Sequence, residues 1–310
     1  MNLQQLEYLV ALDNTGQFQL AAERCFVTQP ALSMQVQKLE EELGVVLFER
    51  TRRGAVPTPT GRKVIEQARA ALRAVQQLRE VVSVEKGEMV GELRLGVIPT
   101  LAPYLLPLLV GELTQTYPGL RVRVEELQTE HLTERLRDHR LDVGLLVTPL
   151  DDPRLREIPV LDEPFLAYIA PTHPLYQHQM LTPADLTPEG LWLLQQGHCF
   201  RSQVLNICGT RADTDTRPLT YESGSIETLK RLVRHNHGYT LVPELAVLDE
   251  VDTNPMLRRF AAPEPVREVS LVVHQTFVRL PLLDFLRAAL LRQVPARLHA
   301  SAAGRKIQWK

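Results

Sequence analysis

Apolar residues in the first sixty positions recur at helical spacing and are interrupted by sharp breaks. Residues 2–13 carry leucines and a valine on one helical face, and Gly16 follows that segment. A second short helix is predicted over residues 19–25. A third is predicted to begin after Thr28 as its N-cap and to stop at Gly44. Its inward-facing positions are expected to be Leu32, Val36, Leu39 and Leu43. Three short helices with a tight connection between the last two predict a helix-turn-helix.

The next segment predicts a wing and a long helix. Residues 45–61, VVLFERTRRGAVPTPTG, read as a strand, a basic turn and a second extended piece. Residues 61–86 then place apolar side chains at alternating steps of four and three, at Val64, Ala68, Ala71, Val75, Leu78 and Val82. This seam is typical of a coiled coil and predicts a partner helix. The alternative is a helix packed on its own domain.

From residue 89 onward, β-rich strings alternate with helical ones. LRLGVIP, RVRVEEL and LDVGLLV predict strands of a parallel sheet built from βαβ units. A second set follows near Pro164, with PFLAYIAP, LWLLQ and YTLVPE. We expect two α/β subdomains, with crossings near 162–165 and 265–268 and a ligand or sensor site in the cleft between them.

These patterns predict the following domain organisation. A DNA-binding domain covers 1–60, a linker helix 61–88 and a regulatory region 89–300. Within that region, subdomain I takes 89–162 plus 268–300 and subdomain II takes 163–267. The small, polar or basic tail, 301–310, is expected to be mobile.

Composition narrows the class of protein but not its partners. A chain of 310 residues with 44% hydrophobic content can bury a sizeable core. The net charge of −2 does not exclude nucleic acid, because five basic side chains cluster between Arg50 and Lys63. No signal peptide or membrane span is recognisable, so we expect a cytoplasmic protein. Any disulfide in that compartment would be transient and functional.

The segment GHCFRSQVLNIC holds two of the three cysteines, Cys199 and Cys208. If it is helical, a rise of about 1.5 Å per residue separates them by roughly 13 Å. A disulfide requires α-carbons within about 7 Å. Either the two cysteines do not react with each other, or they meet only when the segment refolds. The third, Cys25, is expected to be a small buried residue of the second helix.

The string FQLAAERCFVTQPALSMQVQKLEEELGVVLFERTRRGAVPTPTG (18–61) closely resembles the DNA-binding half of LysR-type transcriptional regulators. The resemblance implies an α/β protein with an N-terminal all-α winged helix-turn-helix, a linker helix and two Rossmann-like subdomains of the periplasmic-binding-protein type. It also implies homodimers through the linker and homotetramers on double-stranded promoter DNA, acting with RNA polymerase.

Residues of the third helix and the wing are the candidates for DNA contact. Glutamine can read adenine, lysine can contact guanine or phosphate, and wing arginines suit the backbone. The candidates are Thr28, Gln29, Pro30, Ser33, Gln35, Lys38, Arg50, Arg52 and Arg53. The alternative is that these polar side chains form only a solvated helix face.

Three strings, GVIPTLAPYLLP, ELQTEHL and GHCFRSQVLNIC, resemble the members of this family that sense hydrogen peroxide. That narrower resemblance implies Cys199 as the peroxidatic thiol and Cys208 as the resolving thiol. Thr100, Thr129, His198 and Arg267 would line the peroxide pocket, with Arg201 as another source of charge. A sulfenic acid on Cys199 would condense with Cys208, and cellular thiol reductants would reset the switch. The new disulfide constrains the chain by about 3 kcal/mol.

Three departures from the peroxide-sensing pattern bear on the pocket. Ser202 stands where an acid is common, the stretch 215–225 is longer and poorer in histidine, and Val266 replaces one of two expected basic residues. These changes affect the tuning of the pocket more than its identity.

Competing interpretations remain at the level of sequence. A metal-responsive regulator would use His198, Cys199, Cys208, His235 and His237, although C-x8-C lacks common zinc spacing. A second possibility is a regulator that binds a small anion, with both cysteines as ordinary core residues. A thiol peroxidase is the third, but it leaves residues 1–86 unexplained. We therefore expect a regulator without metal or cofactor, and not an enzyme.

Overall fold

The computed structural model describes residues 1–51, 54–209, 224–235, 237–299 and 304–309. The chain separates into two units, Met1–Glu88 and Met89–Lys310. Each unit builds its own hydrophobic core, and the second unit contains two such cores.

The first unit is a winged helix-turn-helix followed by a long helix, as predicted. Thr28 precedes α3 and its hydroxyl accepts a hydrogen bond from the Ala31 N–H at 3.4 Å, which satisfies one free donor of the first turn. The two strands pair antiparallel and form the wing. The elements are α1 (Leu3–Thr15), α2 (Phe18–Arg24), α3 (Gln29–Leu43), β1 (Phe48–Thr51), β2 (Gly54–Pro57) and α4 (Pro59–Glu85).

Two side chains of this unit differ from the expectation. Leu43, expected to face inward, is 38% exposed because it belongs to the last turn of α3, beyond the packed face that ends at Leu39. Cys25, expected to be a buried residue of the second helix, follows the last residue of α2 and is only half-buried. Both residues lie at the end of a helix, where the contact of that helix with the core of the first unit is smaller.

The second unit opens with the predicted βαβ units. Strand β3 pairs parallel with both β4 and β5, and the helices between them cover the sheet. The elements of this part are β3 (Gly91–Val97), α5 (Ala102–Thr116), β4 (Leu120–Glu126), α6 (Thr129–Arg137) and β5 (Val143–Thr148).

Two long antiparallel strands, β6 and β10, join the two cores of this unit. Leu161 in β6 packs in the first core, whereas Phe165 of the same strand packs in the second. The remaining elements are β6 (Leu155–Ile169), β7 (Met180–Leu181), α7 (Cys199–Cys208), α8 (Ile226–His235), β8 (Tyr239–Pro243), β9 (Leu257–Phe260), β10 (Pro265–His274), α9 (Leu280–Gln293) and β11 (Arg305–Lys306).

The sheet of the described residues is mixed rather than wholly parallel. Strands β8 and β9 both pair antiparallel with β6, and β10 pairs antiparallel with β5 and β6. Strands β6 and β10 run through both halves of the unit, and β5, β8 and β9 pair with them in the opposite direction. The string LWLLQ, expected as a strand, forms only an isolated bridge between Leu191 and Tyr239. The predicted fold class, a winged helix-turn-helix with an α/β regulatory region, is confirmed.

Part of the tail, for which mobility was expected, is among the described residues. Residues 304–309 form β11 and an extended continuation, and Ile307 is buried in the second core. Among the described residues, no helix has both the length and the apolar character needed to cross a membrane.

Candidate functional site

Helix α7 begins at Cys199 and ends at Cys208, so the segment is helical as the conditional prediction required. Its ten residues keep the two cysteines at opposite ends, with their α-carbons about 13 Å apart along the helix axis at about 1.5 Å per residue. Both thiols are free and buried. Cys199 packs in the first core of this unit and Cys208 in the second. A bond between them therefore requires α7 to unwind.

Gly197 positions the start of α7 against the start of α6. Its φ of +95° lies in the left-handed region, and a Cβ there would lie 2.8 Å from the Oε1 atom of Gln128. Because glycine permits this close approach, Thr129, the residue after Gln128, lies beside Cys199. Thr129 is the first residue of α6 and is buried.

The Thr129 hydroxyl and Arg267 both act on the Cys199 thiol. Burial raises the pKa of Cys199, and this effect exceeds the lowering by Thr129, then Arg267, then the backbone N–H groups at the helix start. The helix start thus favours the thiolate, as expected, but burial keeps the resting thiol protonated. Apart from this contact with the thiol, the buried Thr129 Oγ1 atom has no hydrogen-bond partner among the described residues.

Arg267 is completely buried and is held by two partners. Its guanidinium pairs with Glu163 at 2.7 Å and donates to the Thr100 hydroxyl at 3.0 Å. Its charge also lies over the Phe200 ring, 5.3 Å from the centroid. The predicted pocket residues Thr100 and Arg267 are therefore joined to each other, and the charge of Arg267 acts on the Cys199 thiol.

Sequence reasoning did not identify Glu163. This carboxylate is fully buried and accepts a hydrogen bond from the Leu245 N–H at 2.9 Å. Burial raises its pKa even though Arg267 lowers it. Strand β6 also carries Arg156, Glu157 and Asp162, so the sequence gives no signal that distinguishes Glu163. Arg201, expected as another source of charge, instead donates to the Leu194 carbonyl at 2.9 Å.

A cavity of about 370 Å³ opens beside Cys199. It brings Thr129 and His198 together with the thiol, whereas Thr100 and Arg267 are not among its lining residues. Burial lowers the pKa of His198, so this imidazole is neutral near pH 7. The lining consists of Thr129, Glu130, Gln196, Gly197, His198, Cys199, Ser202 and Trp309.

Cys208 lies in an apolar site beside Tyr239, a second residue that the sequence did not identify. Burial raises the pKa of its thiol to about 12, and a hydrogen bond with Tyr239 lowers it only in part. This thiol therefore stays protonated near pH 7 while α7 is folded.

The predicted DNA-contact residues fall into two groups. Gln29, Pro30 and Lys38 are exposed on α3. Ser33 and Gln35 are half-buried and already bonded: Ser33 accepts from Arg50 of the wing at 2.8 Å, and Gln35 accepts from the Gln5 amide of α1 at 3.3 Å.

The four remaining DNA candidates are Thr28, Arg50, Arg52 and Arg53. The Thr28 hydroxyl caps α3, so its role inside the domain is structural. Arg52 and Arg53 lie outside the described residues, as do positions 215–223 of the unusual stretch. Arg50 holds the wing to α3 and also lies over the Phe18 ring at 4.8 Å.

Within the described ranges, no group of three or more His, Cys, Asp or Glu side chains is arranged to hold a metal ion. His237 contacts the Thr172 hydroxyl at 2.8 Å through its Nδ1 atom. It does not line the cavity at Cys199.

Family models and known relatives match nearly the whole chain. Residues 3–62 match the bacterial regulatory helix-turn-helix protein model of the lysR family, and residues 86–295 match the LysR substrate binding domain. The chain is 41% identical to the DNA-binding transcriptional dual regulator OxyR of Escherichia coli, over 88% of this chain and 89% of that protein. It is 40% identical to the hydrogen peroxide-inducible genes activator of Haemophilus influenzae, over 88% and 90%.

Solved structures give the same relationship. A full-length OxyR mutant from Pseudomonas aeruginosa superposes with a TM-score of 0.79 at 33% identity, covering 97% of this chain and 99% of that one. A cysteine mutant of Corynebacterium glutamicum OxyR with hydrogen peroxide bound gives a TM-score of 0.61 at 32% identity, over 94% and 92%.

Proposed function

The chain belongs to the LysR family of bacterial transcriptional regulators, and on this premise we propose that it is a peroxide-responsive regulator of the OxyR type. Its switch is a reversible disulfide between Cys199 and Cys208, and it controls genes of the oxidative-stress response. The observation that carries the proposal is the buried Thr129 hydroxyl, which acts on the Cys199 thiol and has no other partner in the described parts of the chain.

An unpaired buried hydroxyl leaves a hydrogen-bonding site for a small ligand. A hydroxyl both donates and accepts, so Thr129 can hold hydrogen peroxide with one oxygen facing the sulfur. The sulfur of Cys199 then forms a bond to that oxygen as the O–O bond breaks. The thiol proton goes to the departing oxygen, and the products are a sulfenic acid and one water. Neutral His198 offers one donor and one acceptor in the same cavity.

The second step joins two thiols that α7 holds apart. Attack by the Cys208 sulfur on the sulfenic sulfur forms the disulfide and releases a second water. Because the thiols occupy opposite ends of α7, the step unwinds the helix and moves side chains of both cores. Reversal by cellular thiol reductants restores two thiols and the helix. The cysteine reaction is thus signalling chemistry rather than catalytic turnover.

Promoter DNA is the output partner of this switch. The exposed Gln29, Pro30 and Lys38 of α3, with Arg50 of the wing, suit a major-groove helix flanked by phosphate contacts. Homodimers form through α4 and homotetramers bind a long operator, where the regulator meets RNA polymerase in the cytoplasm.

The proposal is tested by treating purified protein with a small excess of hydrogen peroxide and mapping its thiols by mass spectrometry. A Cys199–Cys208 disulfide and a changed operator footprint are expected, and Cys199→Ser should abolish both responses. Cys25→Ser serves as the matched control and should respond like the wild type. If peroxide leaves both thiols free while a small carboxylate alters operator binding, the regulator senses an effector and the proposal is wrong.

A further inference from the structure

The outward face of α3 carries apolar side chains that were not among the DNA contacts predicted from the sequence. The inward face packs in the core of the first unit through Leu32, Val36 and Leu39, which are all buried. At about 100° per residue, the opposite face of the helix falls at Pro30 and Met34, one turn apart. Both are exposed, and Met34 is 62% exposed. We call these two residues the apolar strip of α3.

Several polar side chains beside the apolar strip are already hydrogen-bonded within the protein. Ser33 accepts a hydrogen bond from the wing at 2.8 Å, and Gln35 accepts one from α1 at 3.3 Å. The Gln37 amide donates to the Glu41 carboxylate at 3.0 Å. The middle of α3 therefore offers apolar surface, rather than unsatisfied hydrogen-bonding groups, on the side that faces away from the core.

The apolar strip is continuous with the DNA-contact residues of this unit. In a helix-turn-helix the second helix of the motif, here α3, lies in the major groove, and its N-terminal residues reach the base edges. Met34 is the sixth residue of α3, about 7.5 Å along the axis from Gln29 at about 1.5 Å per residue. Lys38 follows one turn later, and both it and Arg50 of the wing are exposed cations that suit phosphates. DNA is therefore the partner that this face fits.

A methionine side chain can recognise only one feature of the major groove. Its thioether sulfur has no donor and is a weak acceptor, so Met34 does not distinguish the hydrogen-bonding patterns of the base edges. The apolar group that base pairs present in this groove is the C5-methyl group of thymine. An unbranched and polarisable side chain adapts its shape to such a group. Contact between them removes apolar surface from water, which is favourable.

We propose that Met34 is a specificity-determining residue that recognises the C5-methyl group of a thymine in the major groove, with Pro30 beside it. The DNA element that α3 binds then has a T·A pair opposite Met34. This inference rests on the proposed promoter-binding function and names a chemical feature of the DNA. The contact involves residues of the first unit alone, so it does not depend on the chemistry of Cys199.

Deoxyuridine tests the contact, because its replacement of thymidine removes only the C5-methyl group. Duplexes are first selected from a random-sequence library with the full-length wild-type chain under reducing conditions. Each thymine of the selected element is then replaced singly, and Kd is measured by fluorescence anisotropy at one salt concentration, since salt alone changes affinity. We expect one replacement to weaken wild-type binding about fourfold, as for the exposure of one methyl group. If no replacement weakens binding, the proposal is wrong.

Met34→Ala assigns this loss to one side chain. At the sensitive position, the variant should bind the thymine and deoxyuridine duplexes with nearly equal Kd, as a double-mutant cycle requires of two groups in contact. Met34→Leu keeps apolar surface at the same place and should retain a loss of at least about twofold. Both variants should keep the wild-type melting temperature, because Met34 is exposed. A fourfold loss that persists in Met34→Ala assigns the methyl group to another side chain and overturns the proposal.

Two controls separate a base contact from other causes of weak binding. Met180 is an exposed methionine of the second unit, so Met180→Ala should match the wild type with both duplexes. Lys38→Ala removes a charge and should reduce the slope of log Kd against log salt by about one. Met34→Ala should leave that slope unchanged, because an apolar contact releases no counterions. A reduced slope in Met34→Ala would contradict an apolar contact.

A second selection with Met34→Gln tests specificity itself. A glutamine amide can pair with the edge of adenine but has no preference for a methyl group. The thymine at the sensitive position should therefore no longer be enriched. Enrichment of the same thymine by Met34→Gln would show that another residue recognises it.

The outcomes also separate this inference from the proposed function. If the wild type enriches duplexes but tolerates every deoxyuridine, DNA binding stands and the thymine contact falls. If the thymine contact is found while peroxide leaves Cys199 reduced, the contact stands and the sensor proposal falls. The absence of any enriched duplex would overturn both the promoter-binding proposal and the contact.

Discussion

At the residue scale, the reactivity of Cys199 is set by a balance between burial and charge. Burial disfavours the thiolate, while Thr129, Arg267 and the first backbone N–H groups of α7 favour it. Burial is the larger effect, so the resting pKa lies above the ordinary thiol value of 9.0. A protonated resting thiol resists adventitious oxidants and becomes reactive when a ligand in the cavity accepts its proton.

This balance predicts the pH dependence of thiol reactivity. In a Cys25→Ser, Cys208→Ser background, the alkylation rate of Cys199 by iodoacetamide should rise about tenfold per pH unit between about pH 7 and 9, because the thiolate fraction grows in that proportion below the pKa. The measurement is the rate of mass gain at each pH. A plateau below about pH 7 would show a lowered pKa and would contradict the assignment.

Thr129→Val provides a matched test of the same balance. Removing the hydroxyl that lowers the pKa should raise that pKa further and slow alkylation at about pH 8 several-fold. Thr133→Val is the control: Thr133 is buried in the same helix, but its hydroxyl donates to the Glu130 carbonyl at 2.8 Å. Equal effects of the two substitutions would assign the change to α6 rather than to the contact with Cys199.

At the element scale, helix α7 has little intrinsic stability. It has ten residues, lacks a side-chain N-cap, and ends at Gly209 with φ of +63°. Isolated helices of this length are only marginally stable, so α7 is stabilised by its packing against the two cores and residues 304–309. Little local propensity opposes unwinding once the Cys199 sulfenic acid favours a bond to Cys208.

The C-cap gives a direct test of this view. Gly209→Ala places a Cβ in the left-handed region and should destabilise the folded end of α7 by about 1 kcal/mol. Disulfide closure from the sulfenic acid should then be about fivefold faster, as measured by rapid quenching and mass spectrometry. Gly44→Ala ends α3 with the same geometry and equal open space, so it should leave the closure rate unchanged. Slower closure in Gly209→Ala would mean that unwinding does not precede it.

At the scale of the whole molecule, the apolar seam of α4 is not fully covered. Ile65 and Ala68 are buried within the first unit, but Leu78 is 69% and Val82 is 53% exposed. A stripe of this kind on a 27-residue helix suits a second copy of α4. Homodimerisation through the seam, left open by the sequence, thus remains our proposal.

Leu78→Glu tests that interface. A charge in the seam should weaken self-association at least about tenfold, measured by sedimentation equilibrium, because burying an unpaired carboxylate is costly. Gln76→Glu adds the same charge at a neighbouring exposed position and should leave the association constant close to that of the wild type. If both variants associate like the wild type, the dimer uses another surface.

Local sequence patterns specify the secondary-structure elements of this protein. Apolar spacing located α1, α3 and α4, and Thr28 and Gly44 marked the ends of α3, because caps and helical periodicity depend on neighbours within a few residues. The strings around Cys199 and Cys208 predicted a redox pair by resemblance, and helical rise predicted the separation of their α-carbons.

Only the tertiary structure decided what surrounds those elements. The Arg267–Glu163 pair joins β10 to β6 across more than a hundred residues, and burial raises the pKa of the Cys199 thiol. The backbone carbonyls of Ile307 and Gln308 accept hydrogen bonds from Gln203 and Asn206 of α7, and composition does not reveal such contacts. Burial, charge pairing and backbone contacts between distant segments depend on three-dimensional proximity, and no local pattern encodes them.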